Sequence, residues 1–95
     1  MINGEAAVRI MIYEIRENNP EAVRFVPRTN DVKSILLFLQ TKKYDTIMYL
    51  YGYRFLLEIL KMYEKYENYE QCDEIVKQIR IHNEMLNDNI PTTNG

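Results

Sequence analysis

Residues 47 to 70, IMYLYGYRFLLEILKMYEKYENYE, restrict the fold of this chain more than any other segment. At 100° per residue, apolar and aromatic side chains cover about two-thirds of the circumference of a helix here. The remaining stripe is charged and consists of Arg54, Glu58, Lys61 and Lys65. One neighbouring helix cannot bury so wide an arc. The pattern therefore predicts a central helix over residues 45–66, with other helices packed against more than one of its flanks.

Gly52 lies near the middle of this apolar arc. A glycine inside a helix costs about 1 kcal/mol relative to alanine, so a compensating role is needed. We expect another backbone to approach closely at Gly52, or a neighbouring ring to fill the space, in preference to a functional hinge.

Three further segments have helical patterns. An apolar stripe predicts a first helix over about 4–18, formed by Ala7, Val8, Met11, Ile12 and Ile15. The stretch VKSILLFLQ is apolar on nearly every side and predicts a short, buried helix over 30–42. Asn68 followed by Gln71 has the spacing of a capping box, which predicts a helix start at 68 and a helix over 68–87.

The connections TKKYD and YENY are short, so consecutive helices should pack antiparallel. The sequence therefore predicts an all-α fold, a small up-and-down bundle of four helices joined by antiparallel hairpins. A single domain is expected over residues 1–88, followed by a polar tail over 89–95.

Part of this pattern resembles a tetratricopeptide-like helical hairpin, in which an aromatic residue fills the turn between two helices. The matching positions are Ile59, Tyr63, Tyr69, Cys72, Val76 and Ile79, and they are partly repeated by Phe38, Tyr44 and Ile47. The two matches are 25 residues apart and share the central helix, so they cannot be tandem 34-residue repeats. The resemblance therefore implies similar turn packing and not membership of that family.

Composition restricts the environment of the chain. No apolar run approaches the roughly 18 residues of a membrane span, and no basic, then apolar, N-terminal signal is present. A single cysteine, Cys72, fits a reducing compartment and is expected to be a buried apolar residue. We expect a cytoplasmic protein without a membrane partner. The 11 Ile and 9 Asn residues are typical of AT-rich genomes, including phage genomes, and a phage-encoded protein could instead reside in the virion.

Groups that could carry catalysis are few. The single histidine, His82, is ten residues from Cys72, nearly three helical turns, so the two cannot form a nucleophile–base pair within one chain. No spacing of ligands suggests a zinc or calcium site, and no glycine-rich phosphate loop is present. The sequence predicts a protein that is not an enzyme and that uses no cofactor. A cleft that brings His82 together with a carboxylate would favour the opposite interpretation.

Most of the tyrosine rings are expected to be core or hairpin packing. Tyr49 and Tyr63 fall inside the apolar arc, whereas Tyr51 and Tyr53 fall toward its edges, and Tyr66 and Tyr69 bracket the last turn. Rings left uncovered would form an interface. We expect a protein-interaction or assembly module that self-associates or binds a protein partner, such as a phage virion component or small accessory factor. The predicted contact residues are Tyr51, Tyr53, Tyr66, Tyr69 and Phe25, with Arg24 and Arg28 at the rim.

A second hypothesis rests on local charge. The net charge of the chain is −2, but from Arg24 to Lys43 five basic residues face one acid, Asp31. The alternative function is therefore a phage-encoded inhibitor, or a protein that binds nucleic acid or a nuclease complex weakly. Its contact residues would be Arg24, Arg28, Lys33, Lys42 and Lys43.

Overall fold

The computed structural model describes residues 3–23 and 29–89. Within them the chain forms five α-helices, one 3₁₀ turn and no strand. The elements are α1 (Glu5–Asn18), a 3₁₀ turn (Pro20–Val23), α2 (Thr29–Gln40), α3 (Tyr44–Tyr51), α4 (Tyr53–Lys65) and α5 (Tyr69–Asn89). The all-helical prediction is confirmed for these residues, and the described chain has five α-helices where four were expected.

The first helix forms as its apolar spacing indicates. Val8, Met11, Ile12 and Ile15 are all buried, because they recur every three or four residues on one face of α1. The helix ends where expected: the backbone N–H of Asn19 donates to the carbonyl oxygen of Ile15 at 2.7 Å, and Pro20 begins the 3₁₀ turn.

The core of the molecule is centred on α4. Phe55, Leu56 and Ile59 are fully buried, and Met62 and Tyr63 are almost so. Helix α4 contacts α1, the 3₁₀ turn, α3 and α5, so its apolar arc is covered from several sides. Each of these large side chains contributes about 1.5–3 kcal/mol by leaving water, so α4 contributes substantially to stability.

The prediction of one continuous helix over 45–66 is wrong, because the helix is interrupted at Gly52. Gly52 has φ 102° and ψ 156°, a conformation that is accessible almost only to glycine. Its N–H still donates to the carbonyl oxygen of Met48 and closes α3, and its own carbonyl accepts the first bond of α4, from Leu56. Apart from its two chain neighbours, no atom of residues 3–23 and 29–89 lies within 4 Å of where a Cβ at Gly52 would be. Glycine is therefore required for its backbone angles, and the close approach that we expected is not present.

The interruption redirects the chain. In a continuous helix, Tyr44 and Tyr63 would be roughly 28 Å apart along the axis, at 1.5 Å per residue. In the structure both residues are buried, the hydroxyl of Tyr44 donates to the carboxylate of Glu74 on α5 at 3.5 Å, and both α3 and α4 contact α5. Helices α3 and α4 therefore turn at Gly52 so that both pack against α5.

The turns after α2 and α4 share one backbone motif. Lys42 and Glu67 both have φ near +60°, and the residue after each donates its N–H to a carbonyl five positions back: Lys43 to Phe38, and Asn68 to Tyr63. This arrangement is a Schellman cap, which normally uses glycine at the left-handed position. In a capping box, the side chain of Gln71 would accept a hydrogen bond from the backbone N–H of Asn68. That N–H instead donates to the carbonyl oxygen of Tyr63.

Several sequence predictions concern residues outside the described ranges. Phe25, Arg24 and Arg28 lie there, as do positions 90–95 of the predicted tail. Among the helices of residues 3–23 and 29–89, none is both long and apolar enough to cross a membrane.

Candidate interaction groove

An apolar groove of about 670 Å³ lies between α3 and the C-terminal half of α5. One wall comes from α3 and the start of α4, and the other comes from one face of α5. The lining residues are Asp45, Thr46, Met48, Tyr49, Leu50, Tyr53, Gln78, His82 and Met85. We refer to this feature as the α3–α5 groove.

The α3 wall exposes a ring that sequence reasoning assigned to the core. Tyr49 is 88% exposed, the largest value among the exposed large apolar side chains of the described residues. The reason is the position of Tyr49 on α3: the buried face of the helix consists of Tyr44, Ile47 and Tyr51, and Tyr49 is 200° around the helix from both Ile47 and Tyr51. The sequence prediction placed neighbours around most of this helix, whereas the elements that contact α3, namely α2, α4 and α5, leave the face of Tyr49 uncovered.

The α5 wall lies in the C-terminal part of that helix, where few other residues pack against it. Cys72 and Ile75 near its start are buried, but Ile81, Met85 and Leu86 are about half exposed. Helix α5 has 21 residues and α4 has 13, so the end of α5 extends by about 12 Å beyond the length that α4 can cover. The apolar seam that the sequence predicts along α5 is therefore core near its N-terminal end and surface near its C-terminal end.

Tyr51, one of the predicted contact residues, is buried. Its hydroxyl donates to the carboxylate of Asp31 on α2 at 3.2 Å, and its ring packs edge to face against Phe55 with centroids 5.9 Å apart. Burial, together with the negative charge and hydrogen bond of Asp31, raises the pKa of Tyr51 to about 12. Tyr51 therefore fastens α3 to α2 and α4 and is not part of the exposed surface.

The other three predicted tyrosines are exposed, but at two separate places. Tyr53 lines the α3–α5 groove, whereas Tyr66 and Tyr69 lie at the turn between α4 and α5. Tyr53 and Tyr66 are separated by the whole of α4, about 20 Å. At the turn, the ammonium group of Lys65 lies 5.7 Å from the centre of the Tyr66 ring, within cation–π distance.

The basic residues are distributed along and after α2. Lys33 is exposed in the second turn of that helix, and Lys42 and Lys43 are exposed in the turn that follows it. Lys42 forms an ion pair with Glu74 at 2.9 Å, and the hydrogen bond and charge of Glu74 raise the pKa of Lys42. This pairing removes one positive charge from any anion-binding surface that includes the turn.

The groove lining includes a histidine and a carboxylate, His82 and Asp45, which is the combination that a catalytic interpretation would require. Cys72 lies elsewhere, buried, with its thiol 3.9 Å from the carbonyl oxygen of Leu60, and burial raises its pKa. No three metal-binding side chains cluster within residues 3–23 and 29–89. That the chain is not an enzyme remains a prediction.

A second, more polar cavity of about 380 Å³ lies between α1 and α4. Two ion pairs line it: Glu58 with Lys61 at 2.8 Å, and Glu14 with Lys65 at 3.4 Å. Glu58 was expected on a solvated stripe, yet it is 8% exposed and held by its own helix neighbour. Because each carboxylate already has a lysine partner, this cavity is held together internally and offers less to a ligand than the α3–α5 groove.

Comparison of the chain with protein-family models, with curated proteins and with solved structures gives no match.

Proposed function

We propose that this chain is a protein-interaction or assembly module that binds its partner in the α3–α5 groove. The observation that supports the proposal is the concentration of uncovered apolar side chains at this end of the molecule. Six of them, each between 41% and 88% exposed, lie in the groove or on the last turns of α5: Tyr49, Leu50, Tyr53, Ile81, Met85 and Leu86.

The size of this surface favours binding. With about 150–200 Å² for each fully exposed side chain, the six residues leave roughly 500–650 Å² of mostly apolar surface in water. The largest apolar patch on a typical monomer is about 300–600 Å², and such patches are often functional. A stable interface buries about 800 Å² per partner. The groove and the end of α5 would supply most of that area.

The alternative function, an inhibitor or a nucleic-acid-binding protein that uses the basic segment, is less well supported. Lys42 is engaged by Glu74, and the groove itself contains the acidic side chain of Asp45, which would repel phosphate. An assembly role in the cytoplasm or in a virion, and the up-and-down order of the helices, remain parts of the proposal.

Photo-cross-linking tests the proposed site. A photoreactive phenylalanine analogue at Tyr49 should form a defined adduct with a protein, either another copy of the chain or a different protein, in extract of the native source. The same analogue at Tyr13, which is 63% exposed on α1, is the matched control. A second arm adds Met85→Lys, which places a charge in the groove and should abolish the adduct at position 49.

Equal labelling from positions 49 and 13, or an adduct that survives Met85→Lys, would show that the groove is not a binding site. Circular dichroism spectra of each variant check that the fold is unchanged, which we expect because all three positions are exposed.

A further inference from the structure

We infer that the partner in the α3–α5 groove is a second copy of this chain, bound so that the C-terminal halves of two α5 helices pack antiparallel about a twofold axis. This inference rests on the proposed function and names its partner. It is carried by the pattern of charge and apolar surface on α5.

The uncovered face of α5 has the spacing of a helix-packing seam. Gln78, Ile81 and Met85 are separated by three and four residues, so their side chains form one stripe along the helix. All three are accessible: Gln78 and Met85 line the groove, and Ile81 is 48% exposed. A helix with such a stripe is stabilised by a second helix laid along it.

Two charged residues flank this stripe on the same side. Lys77 and Glu84 are both exposed, and they are seven residues apart, which returns nearly to the same angle after two turns. Halfway between them the stripe carries Ile81. In an antiparallel pair whose twofold axis passes close to Ile81, Lys77 of each copy lies beside Glu84 of the other copy.

The charges also determine the orientation of the pair. In a parallel pair, the two copies of Lys77 would lie on opposite sides of the seam, as would the two copies of Glu84, so these charges would make no attractive contact across the seam. The antiparallel arrangement makes two attractive contacts and no repulsive one between these residues. The net charge of −2 per chain opposes self-association only weakly.

The groove gives the second helix a place to bind. An α5 helix lying along the stripe of its partner also lies against the α3 wall, so its Met85 side chain can pack near the rings of Tyr49 and Tyr53. One α5 helix thereby covers both walls of the groove. The twofold axis produces the same contact in the groove of the other copy. A single change in the stripe therefore acts at two places in the dimer.

Sedimentation equilibrium over a range of concentrations tests the inference with three proteins. The wild-type chain should be in equilibrium between 11.4 kDa and twice that mass. Lys77→Glu and Glu84→Lys each convert two attractive contacts into two repulsive ones, so each should weaken dimerisation by about tenfold. In a mixture of the two variants, a Lys77→Glu chain can pair with a Glu84→Lys chain. This pairing restores both attractions and should give a heterodimer about as stable as the wild-type dimer.

Several outcomes would overturn the inference: a wild-type chain that stays monomeric at every concentration, variants that dimerise like the wild type, or a mixture that shows no recovery. A monomer that still forms a groove-specific photo-adduct with a different protein would remove the second copy as partner and leave the proposed function standing. A monomer without such an adduct would remove both.

Discussion

Replacing Gly52 with alanine should destabilise the protein, even though alanine is the better helix former. At φ 102° and ψ 156°, an L-residue bears strain of about 1–3 kcal/mol. Within the described part of the chain, the added methyl group has no atom within 4 Å beyond the two neighbouring residues, so the expected loss is backbone strain. Part of the strain is offset by the lower entropy of the unfolded alanine chain, about 0.4–1 kcal/mol. We expect a net loss of roughly 1–2 kcal/mol in the free energy of unfolding.

The variant could escape this strain only by straightening into the continuous helix. Straightening gains about 1 kcal/mol of helix propensity. It also removes α3 from the core, where Tyr44, Ile47 and Tyr51 are buried, and each of these side chains contributes about 1.5–3 kcal/mol. Because the packing loss is several times the strain, the bend should persist in the variant.

The assay is urea unfolding followed by circular dichroism. Gly52→Ala should lower the midpoint without changing the slope, because the folded state keeps its shape. Gly4→Ala is the matched control: it too has open space around its Cβ, but its φ of −166° is extended backbone that any residue adopts. We expect it to change stability by less than about 1 kcal/mol. A Gly52→Ala protein that is as stable as the wild type and more helical would refute the reasoning.

Three further predictions follow from individual residues. Tyr51→Phe removes the hydrogen bond to Asp31 and should cost about 1 kcal/mol in urea unfolding; no loss would mean that this bond does not stabilise the fold. Glu67→Gly relieves the left-handed strain in the turn after α4 and should add about 0.5–1 kcal/mol, so a loss of stability would contradict the Schellman assignment. Three buried phenols have raised pKa values, near 12 for two of them: Tyr44, Tyr51 and Tyr63. The same phenols ionise near pH 10 in the unfolded chain. Their neutral, buried forms therefore contribute fully to the free energy of unfolding below pH 10, and this contribution is lost as the pH rises from about 10 through 12. Unfolding midpoints that stay constant between pH 10 and 12 would contradict this burial.

The sequence predicts most of the helical content because periodic apolar spacing and turn signals are local. The stripe from Val8 to Ile15, the stop at Asn19-Pro20 and the short connections after α2 and α4 all appear as expected. In each case the responsible residues lie within one or two helical turns, so no knowledge of distant contacts is needed.

The break at Gly52 was missed because helix periodicity continues across it. The apolar pattern before and after Gly52 fits one helix, and a single glycine within a helix usually costs only about 1 kcal/mol. The deciding energy is non-local: the bend keeps Tyr44, Ile47 and Tyr51 of α3 buried against α2, α4 and α5. The spacing of apolar residues in the sequence does not predict such long-range contacts.

The candidate groove was missed for the same reason. Tyr49 is exposed because the helices that contact α3 leave that face uncovered, and Met85 is exposed because α5 is longer than α4. The edge position of Tyr53 predicted a buried ring with its hydroxyl in water, whereas Tyr53 is 41% exposed and lines the groove; its role as a contact residue stays a prediction. The positions of Phe25, Arg24 and Arg28 lie outside the described residues, and their roles stay predictions.

Hydroxyl-radical footprinting of the tyrosines tests most directly whether α3 buries one face and exposes the opposite face in the α3–α5 groove. The measurement is made at a protein concentration low enough for the chain to sediment as a monomer, so that no second copy covers the groove. The structure predicts strong modification of Tyr49 and protection of Tyr51, two residues away. Protection of Tyr49 to the same degree as Tyr51 would show that the two rings share one buried environment, and the groove would not exist in solution.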